Sequence, residues 1–179
     1  MASVLIGKGN AVGMFYVAVK GTALPSTPDT APGAGWKKVG DVSSDGISMS
    51  LPSGDVIKNW ALEAVRKINT ENGKISAPII ETTQTVFETL FGASNVTVTA
   101  ASASHGKIST VALDPSVSAE PAAYLFLIKD GDALISIGTT NGLITEIADV
   151  DFAPDSAVIW TPTIDANWTI SVDDGETTS

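Results

Sequence analysis

The stretch AYLFLIKDGDALISIGTTNGLITEIADVDF, residues 123–152, decides the fold. AYLFLIK (123–129) and ALISIGT (133–139) are dense in aromatic and β-branched residues, the composition of strands. Asp130-Gly131-Asp132 separates them, and Asn141-Gly142 precedes LITEIADVDF (143–152). Asp-Gly and Asn-Gly suit tight hairpin turns because both positions tolerate positive φ. The pattern predicts a three-strand antiparallel meander. Such a sheet needs a second layer over its apolar face.

Flanking sequence supplies more strands. SVLIG (3–7), MFYVAV (14–19) and WKKVGDV (36–42) are strand-like, and LPSTPDTAPGAG (24–35), with three prolines and two glycines, is a loop. Within GDVSSDGISMSLPSGDVIKNW (40–60), Ile47, Met49 and Leu51 alternate with Ser48 and Ser50, a strand with one apolar face. VIKNWALEAVRKINTE (56–71) and KISAPIIE (74–81) flank Asn72-Gly73, which predicts a hairpin turning there. VTVTA (96–100), KISTVAL (107–113), AVIWTPTI (157–164) and WTISVDD (168–174) complete the set. Pro162 assigns its strand to an edge or a bulge, because proline cannot donate to a ladder.

One segment has helical period. In TTQTVFETLFG (82–92), Val86 sits over Leu90 and Phe87 over Phe91, with Thr82 or Thr83 as the cap and Gly92 as the stop. The expected fold is mainly β, a sandwich or barrel with one short flanking helix. It forms a single domain over 1–179: an arm (1–20), a loop (21–35), strands (36–81), a helix (82–91), strands (96–174) and a tail (175–179).

Composition excludes several classes of function. With 44% hydrophobic and 17% charged residues the chain is an ordered globular one. It has no Cys and one His, which excludes disulfides and thiolate-built metal sites. Residues 1–90 carry eight basic and eight acidic residues, whereas 91–179 carry two basic and twelve acidic, so the second half holds the whole net charge of −10. Acidic surfaces repel phosphate, which argues against DNA binding but not against a surface that DNA slides past. AVGMFYVAV (11–19) is a poor secretion signal and no run is long enough to span a membrane.

No motif carries chemistry. GKGNAVG (7–13) lacks the last glycine of a dinucleotide loop and precedes a strand rather than a helix. Asp149, Asp151 and Asp155 are spaced like part of a calcium loop, but Ala153 and Pro154 occupy positions such a loop needs. His105 sits in ASASHGKI, an ordinary turn composition despite Ser102, Ser104 and Ser109. Trp36, Trp60, Trp160 and Trp168 suit either a sugar-stacking platform or anchors at core edges and subunit contacts, and isolated aromatics in β folds favour anchors. The sequons at Asn95 and Asn167 matter only in a secreted chain. We expect no catalytic residue, no metal and no cofactor.

The order of WKKVGDVSSDGI, VIKNWALEAVRKINTENGKISAPIIETTQTVFETLFG and NGLITEIADVDF, with a closing pair ending WTISVDD, resembles the tail tube proteins of long, non-contractile-tailed bacteriophages, particularly those of actinobacteria. The resemblance spans most of residues 36–175 and is most specific over 36–92. It implies stacked six-membered rings in which hairpins join edge to edge into a barrel around a channel. It also implies a virion protein, assembled in the host cytoplasm, with itself, a tape-measure protein and tail-end proteins as partners. DNA passes through without specific binding, and no membrane is involved. On that reading Ile47, Met49, Leu51 and Trp60 belong to an inter-subunit strand or loop. The strand at 47–51 either shows its other face to the lumen or lies on the next ring. Asp130, Asp132, Glu146, Asp149 and Asp151 are the candidate lumen acids, and 1–20 and 21–35 the candidate ring-to-ring contacts. The 24–35 loop and Leu62-Glu63 depart from the family pattern. The alternatives are a carbohydrate-binding or adhesin sandwich, a tube subunit of a contractile injection machine, and, third, an enzyme.

Overall fold

The computed structural model describes residues 12–52, 55–58, 65–68, 72–113, 119–130 and 132–175. Its strands are β1 (Val12–Val19), β2 (Lys37–Asp41), β3 (Ser48–Ser50), β4 (Asp55–Lys58), β5 (Val65–Ile68), β6 (Gly73–Ser76), β7 (Val96–Thr99), β8 (Ile108–Val111), β9 (Ala122–Asp130), β10 (Ala133–Ile147), β11 (Pro162–Ala166) and β12 (Thr169–Asp173). One helix, α1 (Gln84–Phe91), lies between β6 and β7.

β1 and β9 pair from Val12–Lys129 to Val19–Ala122 at the middle of the sheet. Successive strand residues point to opposite faces, and here both faces are covered. On one, Phe15, Tyr124 and Phe126 are fully buried, with the Phe15 and Phe126 rings stacked at 4.6 Å. On the other, Ala18, Ala123 and Leu125 pack against Trp36, Leu24 and Tyr16. Trp36 Nε1 donates to Ala23 O at 3.3 Å, holding the 24–35 loop over that face. Burial on both sides explains why 123–129 reads as a continuous apolar run instead of an alternation.

The expected turn at Asn141-Gly142 is not there. β10 runs unbroken through it, with a register shift against β9 between Thr139 and Gly142. On its other edge Leu134–Gly138 pair with β12 and Gly142–Ile147 with β11, so these two strands lie end to end. Gly142 serves close approach: a Cβ there would lie 2.9 Å from Tyr124 Cδ2 and 3.1 Å from Ile164 Cγ2. Gly142→Val should therefore cost about 1–3 kcal/mol by overpacking, read as a lower urea midpoint at unchanged slope.

The hairpin predicted at Asn72-Gly73 is also absent. β3 pairs with β6, and β4 with β5. Residues 53–54, 59–64 and 69–71, which join these four strands, lie outside the described residues. The β4–β5 pair joins no other described strand. Gly73 opens β6, and a Cβ on it would lie 3.1 Å from Trp168 Cδ1, whose Nε1 donates to Gly73 O at 3.0 Å.

The main sheet runs β2-β1-β9-β10-β11-β6-β3, with β12 also on β10. Bridges Val42–Ile79 and Ile79–Trp160 tie the exit of β2 to the segments after β6 and before β11. Ser43 N donates to Pro78 O at 2.8 Å, and Ile79 N to Trp160 O at 2.7 Å. The sheet thus curls around a core of Val39, Ile75, Ile79, Ile144 and Ile164. Pro162 lies not in an edge strand but at the start of interior β11, where no ladder donor is required. The irregularity falls on its partner, between Ile144 and Glu146 of β10.

α1 forms where its period predicts. Thr83 is the cap, its Oγ1 accepting from Val86 N at 3.4 Å, and Gly92 ends the helix at φ 85°. Val86 and Leu90 are buried, while Phe87 and Phe91 meet Trp160 edge-on at 5.6 and 5.8 Å. Trp160 Nε1 donates to Thr82 Oγ1 at 3.1 Å. The result is a mainly β fold with a large antiparallel sheet and one short helix, as expected from sequence.

Candidate assembly surfaces

β3 is two-faced. Ile47 and Met49 pack against the core, Ser48 and Ser50 point outward, and Leu51 is 71% exposed. Trp60 and Leu62-Glu63 lie outside the described residues, as do 1–11 with SVLIG and most of GKGNAVG. Cross-strand partners share a face. Ser48, Ser76, Thr163 and Glu146 therefore form one outward row, and Ser50, Lys74, Asp165 and Leu143 the next. Glu146 stands on the same hydroxyl-rich face as Ser48 and Ser50.

The five acids do not form one cluster. Asp130 ends β9 and Asp132 sits in the following turn. Glu146, Asp149 and Asp151 lie at the far end of β10 and beyond it, all exposed. Almost the whole of β10 separates the two groups, roughly 45 Å of strand at about 3.3 Å per residue. Sequence clustering overstated their proximity because a turn expected at Asn141-Gly142 would have folded the two ends together.

A second charged group fastens the sheet's seam. Lys38 Nζ lies 2.7 Å from Asp41 Oδ1 and 3.9 Å from a Glu81 oxygen. Asp41 N donates to the same Glu81 oxygen at 3.3 Å. The hydrogen bond to Asp41 raises the Lys38 pKa. These groups are about 40% exposed, so the contribution is small.

Nothing chemically reactive converges among the described residues. His105 is exposed, its Nδ1 2.8 Å from Gly106 O, while Ser102 and Ser104 bond to each other. No three His, Asp or Glu side chains among the described residues come close enough to share a metal ion. Trp36, Trp160 and Trp168 sit in separate places, each with its indole N–H bonded, as packing anchors do. A groove beside α1, lined by Val17, Lys20, Thr89, Ala119 and Tyr124, has Glu88 on its rim already bonded to Gln84.

Exposed apolar groups and free edges remain instead. Phe152 is 75% exposed in the acidic loop after β10. β12 pairs only with β10 among the described strands, and its Ile170 and Val172 are half exposed. The period of WTISVDD predicts that strand, but no sequence signal tells which of its faces stays uncovered.

Among the described residues, a strand pair that joins no other strand, open edges and no reactive constellation define a subunit built for assembly. The model of the phage tail tube protein family matches residues 8–166, and the chain belongs to that family. No curated protein sequence matches it. It is a structural, non-enzymatic protein of the phage tail, and the sugar-binding and enzymatic readings give way.

Proposed function

We propose that this chain polymerises as stacked six-membered rings, assembled in the host cytoplasm, into the conduit through which the genome is ejected. The observation that supports the reading is the strand pair β4–β5, which joins no other described strand, while β3 and β6, which flank it in sequence, are anchored in the main sheet. Open strand edges invite pairing with other chains, and a closed ring removes them. Ile47 and Met49 hold β3 on its own core, leaving Leu51 and Trp60 as the subunit contacts. A tape-measure protein and tail-end proteins are the further partners.

Negative-stain electron microscopy of the purified protein, dilute and concentrated, tests this. Hollow tubes or six-fold rings are the expected result. Particles that stay monomeric at all concentrations, even when seeded with tail-end proteins, would overturn it.

The lumen carries Asp130, Asp132, Glu146, Asp149 and Asp151, whose charge keeps the DNA backbone from sticking. Neutralising all five to Asn or Gln should leave tubes intact and reduce genome delivery. Because the acids form two groups, Asp130/Asp132 and Glu146/Asp149/Asp151 variants tested separately show which end of β10 meets DNA. Unimpaired delivery in the fivefold variant would remove these residues from the lumen.

A further inference from the structure

We propose that residues 3–6 of each chain lie against Ile170 and Val172 of β12 in the same chain, covering the uncovered end of the core-facing sheet surface. Ile170 pairs with Ile137 and Val172 with Ile135, so both side chains lie on the core side, level with Ile128. Ile137 belongs to the core and the half-buried Ile128 and Ile135 pack against it, whereas Ile170 and Val172 are 52% and 53% exposed. The strip is a continuation of the core that no described element covers.

The register identifies its occupant. Val12, Lys129, Leu134 and Asp173 form one row across β1, β9, β10 and β12. Three strand spacings of about 4.8 Å place β12 about 14 Å from the start of β1. Residues 7–11, at about 3.3 Å each when extended, reach about 17 Å. The preceding Val4-Leu5-Ile6 therefore arrives at β12 with some slack. Val4 and Ile6 have the two-residue spacing of Ile170 and Val172, and Lys8 comes to the acidic end of β12, Asp173-Asp174. This cover is intramolecular and does not depend on ring formation, which separates it from contacts made by the same arm between rings.

The chain has no cysteine, so a cross-link reads the contact directly. The double variant I6C/V172C, at low micromolar concentration with a short bis-maleimide, should close within one chain. The product would have the mass of one chain plus one linker, at a rate independent of dilution. The control I6C/L113C, with Leu113 exposed elsewhere, should close at least tenfold more slowly. Covalent dimers, or equal rates for the two pairs, would overturn the proposal. A second reading avoids cysteine: deleting residues 2–7 should speed amide exchange in β12 at least tenfold while β1 and β9 keep their protection. Unchanged exchange in β12 would overturn it as well.

Discussion

Phe126→Ala is expected to lower stability by about 3–5 kcal/mol, the range for removing a buried aromatic ring. Phe126 has no exposed surface, stacks on Phe15 at 4.6 Å and stands 6.0 Å from Trp168. β9, which carries it, is hydrogen-bonded to strands on both sides, so the backbone has little freedom to collapse into the void. A domain with the usual 5–15 kcal/mol would keep only part of its stability. Urea unfolding of Phe126→Ala beside Leu113→Ala, truncated at a 74% exposed site, makes the comparison. The second variant should stay within about 0.5 kcal/mol of the parent. Similar losses in both would mean that Phe126 is not central to the core.

The second large effect is alkaline. Burial pushes the Tyr124 phenol from 10.0 up to about 12. The folded state thus holds this proton more tightly than the unfolded chain. Stability from this group is fully present below pH 10 and falls as pH rises from 10 to 12. The total loss is on the order of 3 kcal/mol, at about 1.36 kcal/mol per pKa unit. The raised Lys38 pKa loses its contribution in the same direction, but that lysine is too exposed for the loss to dominate. Unfolding free energies measured between pH 9 and 12 should drop steeply, and Tyr124→Phe should flatten most of the drop. An unchanged slope in Tyr124→Phe would assign the alkaline transition to other groups.

Both predictions rest on strands 122–130 and 12–19, whose existence was legible in sequence. Their apolar runs admit no other element, and the caps of α1 were equally plain. Thr83 at the start and Gly92 at the end of an i,i+4 stripe act within one or two helical turns, so local sequence carries the whole signal. The candidate surfaces were less legible. The alternation of Ile47, Met49 and Leu51 correctly placed Ser48 and Ser50 outward, yet Leu51 left the core face for the surface beside Gly73. The acids of 123–152 looked like one patch and are two.

By itself the sequence determined the class, mainly β with one helix, the absence of thiol chemistry, the charge asymmetry and the family. Each depends on composition, short periods or the order of segments. Only the tertiary structure decided what the two Asn-Gly pairs do. Glycine is chosen for positive φ or for its missing Cβ, and sequence does not distinguish these uses. At Gly73 and Gly142 the second use prevails, because Trp168 and Tyr124, distant in the chain, press against the backbone there. Those contacts stand where two turns were predicted, and β10 runs through as one long strand. Which strand edges are left for other copies follows from non-local pairing, and no local pattern encodes it.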